Sequence, residues 1–400
     1  MKRRIGEWAA FGGAPAFSAP LHVAQVNLPP WHEVEASFRG IFERRYFANH
    51  GPLVRELEGR LAELFGVRHA VCVTNGTVAL TVLAATLGLE GEVIVPAFTF
   101  PATVQAISWA GLTTVLCDVD PTTHMVTEDT LGPCITGRTA AILAVHLWGR
   151  PCQPERLESF AARHGLKLFF DACHGIGGSC GGRRIGGFGD GEAFSFHATK
   201  VVGGGEGGCV TTNDDDTAAK LRTIRNFHPS ETFCAVPMRM NGKMSEAQAA
   251  MTLLGLKYFA ENVAANRRRY AFFQRGLAGI SGVSLLEYSA DESNNYQYIV
   301  LEIDAAKAGL ERDVFLELLA AENVLCRRHF SPGIHRMPPY RTGVKDPGMF
   351  TGTDHLCARV MQLPNSQTMT EADVDAVCGL IRSIQQQAPA IRDARGKPRS

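Results

Sequence analysis

The sequence predicts a doubly wound α/β domain on a mostly parallel seven-stranded sheet, followed by a smaller carboxyl-terminal α+β domain. Three observations predict it. Seven short apolar runs between residues 69 and 212 alternate with segments of helical period. Most of the runs are continuously apolar, as strands covered on both faces are. Beyond about residue 245 the pattern changes to longer helices and single strands. Alternating strands and helices imply the crossovers of a parallel sheet. We expect a large domain over residues 1–260 and a small one over 261–400.

The elements follow in order. The strand-like runs are His69–Val73, Glu92–Val95, Thr113–Val119, Ala140–His146, Lys167–Phe170, Glu192–Phe196 and Gly208–Thr212. Leu53–Phe65 and Thr77–Leu87 carry helical period between them. Ser245 suits a helix N-cap, because its hydroxyl can accept from a first-turn N–H. Glu246–Phe259 then reads as a helix, with Met251, Leu254 and Tyr258 at helical spacing, and Asn266-Arg267-Arg268-Arg269 extends the helical region. Strand Tyr296–Ile303, helix Arg312–Ala321, strand Val324–Phe330 and helix Glu371–Gln386 complete the small domain. The polar, basic tail 388–400 is expected to fray.

Composition narrows the function classes. The chain has 400 residues, 45% hydrophobic and 20% charged, with Lys+Arg and Asp+Glu equal at 40 each. That balance gives no general electrostatic reason to expect nucleic acid or anionic lipid. No apolar run approaches the ~18 residues of a membrane span. Glu7 follows the basic Met1-Lys2-Arg3-Arg4 without an apolar stretch, so no signal peptide is expected. The 11 cysteines are odd in number and contain no Cys-x-x-Cys, against a disulfide framework or structural zinc. Free thiols in a reducing cytoplasm, and no metal, are the expectation.

Four motifs carry chemistry. Thr74-Asn75-Gly76-Thr77 follows a strand and opens a helix, so its N–H groups form either an anion cradle for phosphate or an ordinary turn. Asp171, in Phe169-Phe170-Asp171-Ala172-Cys173-His174, closes an apolar strand where ligands bind in parallel sheets. It can pair with a protonated ring nitrogen or merely cap the turn, and His174 can donate to a cofactor oxygen or serve structure. In Ser195-Phe196-His197-Ala198-Thr199-Lys200 the lysine precedes the glycines of 203–208, so this is no P-loop. A lysine in a partly dry pocket loses proton affinity and becomes a nucleophilic amine; the alternative is a surface lysine. Phe100, in Val95-Pro96-Ala97-Phe98-Thr99-Phe100, can stack on a planar ring or pack in the core.

Together the four are the parts of a pyridoxal phosphate site. With Asn49-His50-Gly51-Pro52, Asp118-Val119-Asp120-Pro121, His146-Leu147-Trp148-Gly149 and Gly205-Glu206-Gly207-Gly208, they stand in an order that resembles a known family. The sequence is similar, over about residues 20–385, to the DegT/DnrJ/EryC1/StrS sugar aminotransferases, which are fold-type I pyridoxal phosphate enzymes.

The resemblance implies a role for each residue. Lys200 would hold the cofactor as a Schiff base and shuttle the proton. Asp171 would pair with the pyridinium nitrogen and His174 with the ring hydroxyl. Gly76, Thr77 and Ser195 would hold the phosphate, and Phe100 would stack on the ring. Asn241 would reach the phosphate of a neighbouring subunit's cofactor, implying a homodimer with shared active sites. His174 stands where many members have Gln, and Lys243 where Arg is common. A relative with His in place of the lysine dehydrates instead; Lys200 favours transamination.

L-glutamate would be the donor and a nucleotide-linked keto-sugar the acceptor. His329-Phe330-Ser331-Pro332 and Asn294-Asn295-Tyr296-Gln297-Tyr298 resemble the branch that aminates dTDP-4-keto-6-deoxyglucose at C4. Acceptors aminated at C3, and keto-cyclitols, stay open. A non-catalytic pyridoxal phosphate regulator, or a nucleotide-binding protein using the glycines of 203–208, are readings of other classes.

Overall fold

The computed structural model describes residues 2–23, 27–226, 234–344 and 347–396. Strands β1 (His69–Val73), β2 (Glu92–Pro96), β3 (Thr113–Cys117), β4 (Thr139–Val145), β5 (Lys167–Asp171), β6 (Gly191–Ser195) and β7 (Gly208–Thr212) form one seven-stranded sheet. Its spatial order is β1-β7-β6-β5-β4-β2-β3. All neighbours run parallel except β7, which is antiparallel to both β1 and β6.

Continuous apolarity in the strands has its explanation here. In β4, Ala141 and Leu143 join the core on one face, while Ile142 and Ala144 join the core on the other. Alternate residues point to opposite faces, so a sheet covered twice needs apolar side chains at every position. Helix Gly76–Thr86 lies within one of these layers with Leu80 and Leu83 buried. Helix Pro52–Phe65 lies in the other with Leu57 and Leu61 buried.

The carboxyl-terminal part has its own core. Strands β8 (Val283–Leu285), β9 (Ile299–Ile303) and β10 (Val360–Leu363) form an antiparallel sheet. Helices Phe259–Leu277, Arg312–Ala321 and Glu371–Gln386 pack with it through Phe273, Phe315 and Ile381. The first residues of the chain dock on this core. Trp8 is buried in it, the Ala9 and Ala16 N–H groups donate to Glu322, and Leu21–His22 pairs with Val324–Leu325.

Four expectations require correction. The strand expected over Val324–Phe330 stops at Leu325, because its partner is only two residues long; Arg327 makes an isolated bridge to Gln362. The strand expected from Tyr296 begins at Ile299, since Tyr296 has φ 53, outside the extended region. Helix Glu246–Lys257 ends at Tyr258, after which Phe259–Leu277 starts anew. The tail does not fray over 388–395: it is helical, with Ile391 buried against the small core, and 397–400 lie outside the described residues. Among the described residues no helix is long and apolar enough to cross a membrane. None of the 11 cysteines is disulfide-bonded.

Candidate active site

The carboxyl ends of β1, β5 and β6 meet at one place, as ligand-binding edges of open α/β sheets do. Beyond β1 the chain turns at Asn75, whose Oδ1 accepts from Val78 N–H at 2.9 Å and caps helix Gly76–Thr86. The first-turn N–H groups of Gly76 and Thr77 have no carbonyl within the helix to bond. Gly76 has no room for a side chain: a Cβ there would lie 2.8 Å from Ser195 Cβ and 3.1 Å from Cys173 Sγ. The cradle is thus lined by backbone on one side and the Ser195 hydroxyl on the other, which suits an anion.

Gly76, Thr77, Phe100, Asp171, Ser195 and Lys200 all line one cavity of about 360 Å³. Cys173, Tyr298, Arg327, His329 and Gln362 line it too. Asp171 is buried at the end of β5, with its orientation fixed: Thr103 Oγ1 donates to Oδ2 at 2.8 Å, and Cys173 N–H donates to Oδ1 at 3.1 Å. Thr99 lies 2.9 Å from Thr103 and holds that hydroxyl in turn.

Lys200 Nζ donates to the Tyr298 hydroxyl at 3.0 Å. Burial works to strip the proton from this amine, but Tyr298, Cys173 and Asp171 together oppose it, and the net shift is upward. Dryness alone therefore does not leave this amine neutral: the groups around it favour the ammonium. His329 is held neutral, pushed down to about 4 by burial and then by Arg327 and Lys200.

Two expected residues stand apart from the cavity lining. His174 packs behind it, its ring 4.2 Å from that of Tyr298 and 6.0 Å from that of Trp148. Its Nδ1 is buried without a hydrogen-bond partner, and burial, then Lys200 and His329, keep the imidazole well below its usual range. A neutral ring with an unused nitrogen suits a small polar group. Asn241 is exposed and does not line the cavity of its own chain. Its neighbours join the cradle's outer side: Gly242 C=O accepts from Thr74 N–H at 2.9 Å, and Lys243 Nζ donates to Asn49 Oδ1 at 2.7 Å.

Gly203, Gly204, Gly207 and Gly208 serve packing. A Cβ on Gly204 would lie 2.2 Å from Thr252 Oγ1, and one on Gly208 2.6 Å from the Asn75 carbonyl carbon. They let this segment pass under helix Glu246–Lys257 and along the Asn75 turn, which removes the basis for reading them as a nucleotide loop. Sequence reasoning gave no role to Thr103, Tyr298, Arg327, His329 or Gln362. Tyr298 and His329 lay within branch landmarks, but nothing local marked them as facing Lys200.

The model of the DegT/DnrJ/EryC1/StrS aminotransferase family matches residues 32–382. The dTDP-4-amino-4,6-dideoxy-D-glucose transaminase of Shigella dysenteriae is 30% identical over 367 residues, covering 92% of this chain and 99% of that one. The GDP-perosamine synthase of Caulobacter vibrioides is 32% identical over 346 residues, covering 85% and 92%. Among solved structures, DesI in the presence of its TDP-sugar product superposes with a TM-score of 0.95 at 41% identity, covering 98% of this chain and 100% of that one.

Proposed function

The chain belongs to the DegT/DnrJ/EryC1/StrS aminotransferase family and is a sugar aminotransferase; from that premise we propose that it uses pyridoxal phosphate to move the amino group of L-glutamate to C4 of dTDP-4-keto-6-deoxy-D-glucose. The observation that carries this reading is the convergence of an enclosed lysine, a fixed carboxylate and an anion cradle on one cavity. The dTDP-linked acceptor is supported by the Shigella relative's name and by the TDP-sugar product of DesI. The GDP-linked sugar in the Caulobacter relative's name is the competing nucleotide.

The residues present fit the cofactor. The Gly76 and Thr77 N–H groups and the Ser195 hydroxyl would hold its phosphate, and Asp171 its ring nitrogen. His174 would hold its ring hydroxyl, Phe100 would cover its face, and Lys200 would carry it covalently. When bound, pyridoxal phosphate supplies an electron sink for the bond broken at the amino-bearing carbon. The chain's own part is to present the Asp171 carboxylate to the ring nitrogen, and to let Lys200 Nζ take a proton from the donor's α-carbon and deliver it to the carbon that receives the amino group. Asn241, exposed on its own subunit, would reach the cofactor phosphate of a second copy, so the working unit is a homodimer with shared sites. The reaction belongs in the cytoplasm, where free thiols persist.

The test is a half-reaction. Loaded enzyme mixed with L-glutamate should lose its visible absorbance and release one equivalent of 2-oxoglutarate. Adding dTDP-4-keto-6-deoxyglucose should restore the band. Restoration only by a GDP-linked keto-sugar would refute the nucleotide assignment, and failure to release 2-oxoglutarate would refute the donor.

A further inference from the structure

We propose that Tyr298 is a positioning residue for the Lys200 amine, its hydroxyl holding Nζ in place whenever that amine is free. The proposal deepens the reading of Lys200 as proton carrier and rests on it.

The geometry points to this role from both sides of the contact. Lys200 sits on a turn just past β6 and carries a flexible four-carbon stem, and its Nζ lies 3.0 Å from Tyr298 Oη. An amine that must return a proton to a defined carbon loses rate if it samples other rotamers, since proton transfer needs near hydrogen-bond distance. Tyr298 is confined by its packing. It is 7% exposed, its ring packs 4.2 Å from His174 and 5.7 Å from Trp148, and its carbonyl accepts from Tyr288 Oη at 2.9 Å. The anchor is therefore rigid where the lysine is mobile.

The chemistry of the anchor also fits. A phenol both accepts and donates. It accepts from an ammonium and donates to the lone pair of a neutral amine, so one contact serves both states of the carrier. A carboxylate there would hold the ammonium too strongly, and a phenyl ring would hold neither. The contact also joins two parts of the fold. Lys200 follows the large sheet, whereas Tyr298 immediately precedes β9 of the small one.

The test is Tyr298→Phe, which keeps the ring stack and removes only the hydroxyl. One readout needs no cofactor. In unloaded protein, acetylation of Lys200 by acetic anhydride, followed against pH by peptide mass spectrometry, reports the free amine. The groups around Nζ are Tyr298, Cys173, Asp171, His174 and His329. With Tyr298 removed, the labelling midpoint should fall by about 0.5 pH unit or more. In loaded enzyme, the glutamate half-reaction should slow ~10–100-fold with KM for glutamate within about threefold, and the isotope effect with α-deuterated glutamate should rise. An unmoved midpoint, or a half-reaction within twofold of wild type, overturns the proposal. Should the variant not fold, replacing all 7 tyrosines by 3-fluorotyrosine acidifies the phenol without removing it; the Lys200 midpoint must then shift, and constancy counts as refutation. Lys200→Ala separates the two readings. If it retains the half-reaction, the role of Lys200 falls and Tyr298's with it; if it is inert while Tyr298→Phe is normal, only Tyr298's role falls.

Discussion

Asp171 keeps both oxygens engaged by chain atoms, Thr103 Oγ1 on one and Cys173 N–H on the other, so its carboxylate is aimed before any ligand arrives. Replacing it with Asn preserves shape and removes charge. Asp171→Asn should still take up the cofactor, while turnover falls at least ~100-fold, about 2.7 kcal/mol of barrier; steady-state kinetics at saturating cofactor check it, and unimpaired turnover would make Asp171 a turn cap. Lys200→Ala should lose the visible cofactor band and drop below ~1% of wild-type turnover, because it removes both the covalent anchor and the proton carrier. That Asp171 and Lys200 share one cavity was legible because one ends a strand of the large sheet and the other follows one, at the edge where ligands bind. Thr103 was not: a threonine in a helix first turn has many ordinary uses, and only the fold brings it to Asp171 across 68 positions. The protonation tendency of Lys200 was illegible for the same reason, since it depends on Tyr298, nearly a hundred residues away.

At the scale of elements, the helix start at Gly76 pits local propensity against close packing. Alanine in a helix is favoured over glycine by up to ~1 kcal/mol, but a Cβ 2.8 Å from Ser195 Cβ costs ~1–3 kcal/mol of strain. The strain should win, and the shift should fall on the cradle: Gly76→Ala should weaken cofactor affinity ~10-fold or more, read by titrating the visible band, while the unloaded melting temperature moves only a few degrees. Helix Pro52–Phe65 is tied to β1 by a buried carboxylate. Glu58 accepts from Cys72 N–H at 2.9 Å, from Arg225 Nη1 at 2.5 Å and from His50 Nε2 at 2.8 Å. Burial alone would raise its pKa, but Arg225 and His50 prevail and bring it down to about 2 from 4.5. A lowered carboxylate stabilises the fold above its unfolded pKa and loses that contribution as pH falls through the folded one. Glu58 thus contributes on the order of 3 kcal/mol at neutral pH, lost between about pH 4.5 and 2. Glu58→Gln should lower the urea midpoint at pH 7 and flatten its dependence on pH below 5; an unchanged slope would show that Glu58 is not the titrating group. The large-sheet strands were legible to within two residues at each end because double-sided burial writes itself as unbroken apolarity. Val324–Phe330 was not, because strand length there depends on a partner 303 residues upstream, Leu21.

At the scale of the whole molecule, the described chain shows a cavity with a lysine and a carboxylate, and an asparagine on the surface outside it. Asn241 is exposed, although its neighbour Gly242 bonds the Thr74 turn that leads into the cradle. Apolar side chains are exposed on the same molecule: Trp31 at 74% and Phe42 at 65% on helix Trp31–Arg44. A second copy of the chain would cover such surface and bring its own Asn241 to this cavity, in the twofold arrangement most homodimers adopt. The arrangement is testable by mixing defects. If each site draws Lys200 from one subunit and Asn241 from the other, a heterodimer of Lys200→Ala and Asn241→Ala places both defects in one site and neither in the second. Random pairing makes half the dimers mixed, so activity should recover to about a quarter of wild type. The assay belongs at a cofactor concentration where Asn241→Ala alone is mostly unloaded, since one lost charge-assisted bond weakens phosphate binding by ~1.5–3 kcal/mol without unfolding the chain. The subunits must be unfolded and refolded together, because a large interface exchanges slowly. If verified heterodimers recover nothing while Asn241→Ala alone weakens cofactor binding, Asn241 serves its own subunit, and the shared-site dimer loses its support.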